Sequence, residues 1–231
     1  MKPISNLKLG IGIPLTFPFV HREFFYSMMY LDRPDFELIP ADNGPIDTLR
    51  NDIVEKAFQA GVTKLMMLDV DMAYHKETIS KLIAHNLPVV AGLCFRRYPP
   101  FDSIMLQQCA DDGLNQYLSV EDWKENELVE VDATGAGCIM YDMEVFRKIP
   151  PPWFEFKRQQ ETGAPVGEDI GMCRKLKAAG YKIFVDTSIP SVHMTTMGVN
   201  RQTSLLYKAM KAAQYKKSMA LGDINTIFEK E

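Results

Sequence analysis

The feature that most constrains the fold is an apolar run that ends abruptly at two carboxylates. Residues 65–68 (LMML) are all apolar, and Asp69 and Asp71 follow them with one residue between. Four consecutive apolar residues favour a strand buried on both faces, as in a parallel sheet covered by helices. Ligands bind at the carboxyl ends of such strands, and carboxylates suit hard cations such as Mg²⁺ or Mn²⁺. The run therefore predicts an α/β fold with a candidate cation site, although the pair alone is equally typical of solvated aspartates at a turn.

Composition narrows the class of protein. The 231 residues suffice for one large α/β domain, and a net charge of −4 argues against nucleic-acid binding that relies mainly on phosphate neutralisation. The four cysteines are widely spaced and lack a C-x-x-C pair, so we expect free thiols in a reducing compartment. The sequence has no signal-peptide core and no apolar run of membrane-spanning length. We therefore predict a cytoplasmic protein without a transmembrane anchor, which meets a membrane only at its surface.

Strands and helices alternate along the first hundred residues. This β-α-β-α-β-α-β order predicts a parallel sheet covered by helices. The predicted strands lie at residues 7–14, 36–40, 65–68 and 88–94, and the predicted helices at 22–30, 48–60 and 76–85.

The second half of the chain is less regular. Residues 104–131 are typical of a small hairpin layer inserted in the domain, and a strand at 132–141 opens with Gly135, Ala136 and Gly137. Glycines at such a place let the backbone approach a ligand closely, or they form a plain bulge. Beyond them we predict a helix at 170–179, a strand at 182–185 and a helical tail at 203–219.

Three signals occur in an order that resembles a known family. They are the strand that ends at Asp71, the Gly-Ala-Gly strand followed by an aromatic segment, and Glu168-Asp169 at a helix start with His193 beyond a further strand. This order resembles the GT-A glycosyltransferases, specifically the family 2-like nucleotide-sugar transferases, from about Leu9 to about His193.

The resemblance implies an α/β fold of the GT-A (nucleotide-diphospho-sugar transferase) type, with a Rossmann-like, mainly parallel central sheet flanked by helices. It also implies a single domain over residues 1–231. Within it, residues 1–100 would form the nucleotide-binding half, residues 101–200 the acceptor-side half, and residues 201–231 a helical tail.

The activity that the resemblance implies is metal-dependent transfer of a sugar from a UDP- or GDP-linked donor to an acceptor hydroxyl. A divalent cation held by carboxylates neutralises the departing diphosphate. Asp71 would ligate Mn²⁺ or Mg²⁺ directly, Asp69 would bind the ribose or a metal-bound water, and His193 would be a further ligand. Asp169 would be the general base of an inverting reaction, and Glu168 would hold an acceptor hydroxyl.

Further residues are candidates for binding the donor nucleotide. Pro14 and Thr16 lie in a segment similar to the family's first nucleotide-binding strand, and Asp42 lies in one similar to its second-strand signature near the base. Arg50 and Asn51, in the predicted helix at 48–60, could reach the nucleotide or the diphosphate, or could form a surface salt bridge.

Other residues are candidates for binding the sugar or the acceptor. Gly135, Ala136 and Gly137 could approach it with their backbone, and Trp153 and Phe154 could stack on the apolar face of a sugar or pack in the core. Arg96 and Arg97 could contact phosphate or the acceptor, or lie on a solvated face.

The acceptor class stays open at this stage. A glycan, a lipid-linked glycan, a protein or a modified nucleic-acid base would each fit. The basic residues of the tail, Arg201, Lys208, Lys211, Lys216 and Lys217, would suit a phosphate-bearing acceptor or an anionic membrane surface, or form a solvated helix face.

Two other activities remain possible from the sequence. The first is a GT-A-like module that binds a nucleotide or sugar without turnover, which the joint presence of Asp69, Asp71, Asp169 and His193 disfavours. The second is a nucleotidyltransferase, which is disfavoured because residues 15–20 contain neither glycine nor lysine to cradle a triphosphate.

Overall fold

A computed structural model describes residues 6–109, 116–158 and 163–220. Internal contacts divide the chain into two units, Met1–Met194 and Thr195–Glu231. The candidate cation, nucleotide, sugar and catalytic residues all belong to the first unit, so that unit is described first.

The first unit alternates short strands with helices. Its helices are α1 (Arg22–Tyr30), α2 (Ile46–Ala60), α3 (Thr78–His85), α4 (Met143–Lys148) and α5 (Glu168–Ala178). Its strands are β1 (Leu9–Leu15), β2 (Phe36–Asp42), β3 (Lys64–Leu68), β4 (Met72–Ala73), β5 (Val89–Leu93), β6 (Met105–Gln108), β7 (Tyr117–Ser119), β8 (Leu128–Val131), β9 (Ala133–Thr134), β10 (Cys138–Asp142), β11 (Lys157–Arg158), β12 (Pro165–Val166), β13 (Ile183–Pro190) and β14 (Val192–His193).

The central sheet has seven strands among the described residues, in the order β2-β1-β3-β10-β5-β13-β8. Strand β1 pairs in parallel with β2 and β3, and β13 pairs in parallel with β5. Strand β10 lies antiparallel between β3 and β5, and β8 lies antiparallel at the edge. Five of the seven strands therefore run in one direction, which confirms the mainly parallel sheet. The sheet is mixed because β10 separates β3 from β5, which sequence order alone would have paired.

Both faces of the sheet are buried, and strand β3 shows why its apolar run is continuous. Leu65 and Met67 pack into a core on one face of the sheet, whereas Met66 and Leu68 pack into the core on the other. Because neighbouring side chains of a strand point to opposite faces, a strand with two covered faces needs apolar residues at every position. Gly61 ends the preceding helix in the left-handed conformation (φ +66°), directly after the predicted end of that helix at residue 60.

Three smaller sheets occur among the described residues, and one of them is the antiparallel pair β11 and β12. Strands β7, β6 and β9 form an antiparallel sheet of three strands, which confirms the inserted hairpin layer. Strand β14 pairs with β4 and sets His193 opposite Met72. The pairing of β14 with β4 fixes the position of His193 relative to Asp71, which immediately precedes β4.

The second unit contains helix α6 (Arg201–Ala220). Asn200 begins the helix, because its side-chain oxygen accepts hydrogen bonds from the backbone amides of Gln202 and Thr203. Several large apolar side chains of this helix are exposed, namely Leu205, Leu206, Tyr207 and Met210. In the part of the chain that the structure describes, every helix falls short of the length and apolarity that a membrane crossing requires.

Candidate functional site

A cleft of about 570 Å³ opens at the ends of strands β1 and β3. The cleft is lined by Asp69, Asp71, Asp169 and His193. Asp69 and His193 are more than 120 residues apart in the sequence. The predicted site residues Pro14, Thr16, Arg50, Gly135, Ala136, Gly137 and Glu168 line it too. The structure thus places these groups around one shared space at the carboxyl edge of the sheet, where α/β folds bind ligands.

Asp71 and His193 face each other directly. The Nε2 atom of His193 lies 3.3 Å from Oδ2 of Asp71, and the backbone amide of Met194 donates to the carbonyl of Asp71 at 2.7 Å. The hydrogen bond with Asp71 raises the pKa of His193 above its ordinary value, although burial opposes this. Burial disfavours the Asp71 carboxylate, but His193 and Arg97 outweigh it and lower the pKa of Asp71.

The donor atoms of this pair fit a divalent cation. The Nδ1 atom of His193 lies 2.9 Å from the carbonyl oxygen of Phe95, so a proton on Nδ1 would leave the Nε2 lone pair directed at the cleft. A carboxylate oxygen and an imidazole nitrogen thus meet at the cleft wall. Within the described residues, no three His, Cys, Asp or Glu side chains form a ready metal cluster. A cation here would therefore complete its shell with water and ligand oxygens, as Mg²⁺-type ions do.

Arg50 is buried beneath the cleft and bridges two carboxylates. Its side chain is 4% exposed; Nη2 donates to both carboxylate oxygens of Asp69 at 3.0 Å, and Nη1 donates to Glu168. Burial works against the charged guanidinium, but Asp69 and Glu168 raise the pKa of Arg50 above its ordinary value. Arg50 thus forms salt bridges, one of its two expected alternatives, but these salt bridges are buried and do not lie on the surface.

Glu168 and Asp169 begin helix α5 and have different surroundings. Glu168 faces Arg50, whereas Oδ1 of Asp169 accepts a hydrogen bond from the amide of Ile170 at 2.7 Å. The Oδ2 atom of Asp169 lies on the side of Gly135, within 3.8 Å of where a Cβ would stand. Burial raises the pKa of Asp169 above its usual range, with Arg50 opposing that effect. A raised pKa and access to the cleft suit a carboxylate that accepts a proton.

Gly137 is the glycine that the site requires most strictly. A Cβ at this position would lie 2.7 Å from the sulfur of Met72 and 2.9 Å from Oδ2 of Asp69. Its carbonyl accepts a hydrogen bond from the amide of Asp69 at 3.1 Å and lies 2.7 Å from the hydroxyl of Tyr74. The sequence predicted that the backbone approaches a ligand closely here. In the structure, the group that Gly137 approaches is Asp69.

A second cavity, of about 590 Å³, adjoins the cleft and shares Thr16 and Phe17 with it. It is formed by residues 15–20 and by the turn at 42–44, and Asp42 pairs in register with Leu15. Its aromatic wall is a stacked pair, Phe17 and Phe19, with ring centroids 5.9 Å apart. Asp42 therefore lies at the carboxyl end of the second strand, beside the end of the first.

Two predicted binding residues, Trp153 and Phe154, belong to the core, and a third, Asn51, binds their backbone. Trp153 and Phe154 are 5% and 1% exposed, and both rings pack against Phe146. The side chain of Asn51 accepts from the amides of Trp153 and Phe154 and donates to the carbonyl of Phe154. The prediction that these aromatic rings stack on a sugar is wrong, because no face of either ring reaches the cleft.

One cleft residue, Phe156, was not predicted from the sequence, and a second, Arg97, has a contact that was not predicted. Phe156, which is 54% exposed, is the aromatic residue of the 153–156 segment that lines the cleft. Nothing in the sequence distinguishes its ring from the two buried ones. Arg97, considered only as a contact for phosphate or acceptor, donates to Oδ2 of Asp71 at 2.9 Å. Its position just after a strand end was the available signal.

Comparison of the fold with solved structures finds three informative likenesses. A197 from STIV matches with a TM-score of 0.55 and 15% identity, over 82% of this chain and 87% of that one. GalNAc-T7, crystallised with UDP, GalNAc and Mn²⁺, matches with a TM-score of 0.58 and 12% identity, over 83% of this chain and 44% of that one. TarS 1–349 from S. aureus, in complex with UDP-GlcNAc, matches with a TM-score of 0.50 and 14% identity, over 86% and 61%.

These likenesses show that the chain has the GT-A fold, as the order of its motifs predicted. Neither a family model nor a curated protein matches the sequence itself. The chain spans less than half of the GalNAc-T7 chain and 61% of the TarS chain.

Proposed function

We propose that this protein is a metal-dependent glycosyltransferase, which moves a sugar from a nucleotide-diphosphate sugar to an acceptor hydroxyl. The observation that carries the proposal is the single cleft in which Asp71, His193 and Asp169 meet at the carboxyl edge of a GT-A sheet. Two structures of similar fold hold UDP or a UDP-linked sugar, and one of them also holds Mn²⁺, which supports this choice of donor and cofactor.

The donor would lie across both cavities. Its uracil or guanine base would occupy the second cavity beside Asp42 and the Phe17 ring, with Pro14 and Thr16 near the ribose and phosphates. Asp71 and His193 would hold Mn²⁺ or Mg²⁺ near the diphosphate. When bound, such a cation supplies positive charge that stabilises the diphosphate as it leaves. Asp69, fixed by Arg50, would face the ribose or a water molecule on the cation.

The transfer step would use Asp169 as general base. As the acceptor oxygen forms a bond to the anomeric carbon, the bond from that carbon to the diphosphate breaks and its electron pair leaves with the diphosphate. The acceptor proton passes to Oδ2 of Asp169, the carboxylate oxygen on the Gly135 side of the cleft. A single displacement of this kind inverts the anomeric configuration. Glu168 stays paired with Arg50 and positions the helix start.

The acceptor would enter beside Gly135 and the exposed ring of Phe156, which can supply the apolar platform first assigned to Trp153 and Phe154. A glycan, a lipid-linked glycan, a protein or a modified nucleic-acid base remain the classes to test. We place the reaction in the cytoplasm, with any membrane contact restricted to the surface.

The direct test measures nucleoside diphosphate release from a panel of UDP- and GDP-sugars, with Mn²⁺, with Mg²⁺ and with chelator. Asp71→Ala should abolish metal-dependent release, and His193→Ala should weaken Mn²⁺ binding. Asp169→Asn should bind nucleotide normally but turn over about 10²–10⁴-fold more slowly, because only the proton acceptor is lost. Nucleotide binding without release from any donor would instead identify a binding module, and pyrophosphate release from a nucleoside triphosphate would identify a nucleotidyltransferase.

A further inference from the structure

Arg97 lies on a short loop that is fastened at its base and exposed at its tip. The loop is closed by a bridge between Phe95 and Ser103 and by a hydrogen bond from the amide of Arg96 to the carbonyl of Asp102 at 2.9 Å. Beyond this base, the side chain of Arg97 is 46% exposed and reaches into the cleft. The backbone at the base of the loop is therefore held in place, whereas the guanidinium of Arg97 is accessible to solvent.

The guanidinium of Arg97 binds the same oxygen that the proposed cation would use. Its Nη1 atom lies 2.9 Å from Oδ2 of Asp71, and that oxygen also lies 3.3 Å from Nε2 of His193. A divalent ion ligated by Asp71 and His193 would therefore stand next to the guanidinium. Two positive groups around one carboxylate oxygen repel each other strongly, so the ion and Arg97 compete for Asp71.

The charge of the cleft also gives Arg97 an alternative partner. Among the described residues that line the cleft, the other guanidinium is that of Arg50, which is buried and holds Asp69 and Glu168. A nucleoside diphosphate brings at least two negative charges into a cleft that already contains several carboxylates. Arginine is well suited to meet phosphate oxygens, because its planar guanidinium can donate two parallel hydrogen bonds.

We propose that Arg97 exchanges partners during donor binding. In the empty cleft its guanidinium holds the Asp71 carboxylate, and once a divalent cation occupies Asp71 the guanidinium turns to the diphosphate of the donor. This inference rests on the proposed function and adds to it a residue that both guards the cation site and binds the leaving group.

The exchange predicts effects of opposite sign from one substitution. Arg97→Ala removes the competitor for Asp71, so Mn²⁺ alone should bind about threefold more tightly, the scale of a half-exposed ion pair. The same substitution removes a charge-assisted contact to phosphate, so UDP should bind about tenfold more weakly in saturating Mn²⁺. A residue that only supported the loop would weaken both affinities, and one that only bound phosphate would leave the Mn²⁺ affinity unchanged.

The test is isothermal titration calorimetry on the full chain, first with Mn²⁺ alone and then with UDP, and in parallel GDP, in saturating Mn²⁺. Arg96→Ala is the matched control, because it removes an exposed arginine from the same loop that does not line the cleft. Tighter Mn²⁺ binding together with weaker nucleotide binding in Arg97→Ala, and neither change in Arg96→Ala, supports the exchange.

Equal Mn²⁺ affinity in the wild type and Arg97→Ala overturns the exchange while leaving the glycosyltransferase proposal intact. A wild-type chain that binds neither Mn²⁺ nor a nucleoside diphosphate overturns both. Thermal unfolding of each variant serves as the folding check, and we expect no change in Tm because the Arg97 side chain is half exposed.

Discussion

Replacing Arg50 by methionine tests the buried network beneath the cleft. The substitution keeps an unbranched side chain of similar length but leaves Glu168, with a side chain only 9% exposed, without its cation. Removing one partner of a buried ion pair costs about 3–5 kcal/mol of unfolding free energy. Since Asp69 is a quarter exposed and water can replace part of its interaction, we expect a loss near the lower bound, about 3 kcal/mol.

A pH series sharpens this prediction. Burial already raises the pKa of Glu168, and Arg50 is the group that opposes that rise. Without Arg50 the pKa of Glu168 should rise further, so the folded state would bind a proton that the unfolded chain has released above pH 4.5. Where the folded state binds more protons, stability falls as the pH rises. The cost of Arg50→Met should therefore be larger at pH 8 than at pH 5.

The assay is urea unfolding of the wild type and of Arg50→Met at both pH values, repeated in a Glu168→Gln background. If the same variant is unfolded by heat, a loss of about 3 kcal/mol of unfolding free energy corresponds to a fall in Tm of about 6–12 °C for a unit of this size. In the Glu168→Gln background the same substitution should cost markedly less, because the buried charge is absent. An equal cost in both backgrounds, or a cost independent of pH, would refute the view that Arg50 stabilises Glu168 electrostatically.

Two further substitutions probe single contacts. Gly137→Ala would place a methyl group 2.9 Å from Oδ2 of Asp69, so nucleoside diphosphate release should fall at least tenfold while the far-ultraviolet circular dichroism stays native. His85→Ala removes the hydrogen bond to Asp186 (2.7 Å); although burial opposes it, this bond helps to lower the pKa of Asp186. A carboxylate with a lowered pKa stabilises the fold above its unfolded pKa of 3.8. Urea unfolding of His85→Ala should therefore show a loss of about 1 kcal/mol of unfolding free energy at pH 6, which shrinks as the pH falls below 3.8. A loss of the same size at pH 3 would contradict this.

Much of the fold could be predicted because it depends on local patterns. The continuous apolar run at residues 65–68 indicated a strand with two covered faces, and the predicted helix at 48–60 ends at the residue where the observed helix ends. The direction of β10 could not be predicted, because a buried strand such as Cys138–Asp142 has the same composition whether it runs parallel or antiparallel. Its position between β3 and β5 depends on pairings between residues far apart in the chain.

The candidate site could be predicted only to the level of residue types and order. Trp153, Phe154 and Phe156 are three aromatic residues within four positions, yet two of them pack in the core and one lines the cleft. Which rings are buried depends on Asn51, which lies in a helix about a hundred residues earlier in the chain. Its side chain binds the backbone of Trp153 and Phe154. No pattern of aromatic residues contains that information, because it arises from the tertiary contact.

The two aspartates that follow β3 illustrate how the fold assigns different tasks to similar residues. In an extended chain, side chains two positions apart point to the same face, but here the backbone leaves the strand after Leu68. Asp69 turns to the buried Arg50, whereas Asp71 turns to His193 and the exposed Arg97. A carboxylate held by a buried, permanently charged group cannot readily change partners, but one held by a histidine and a half-exposed arginine can. The pair is therefore best understood as one fixed carboxylate that shapes the cleft and one exchangeable carboxylate that is available to a cation.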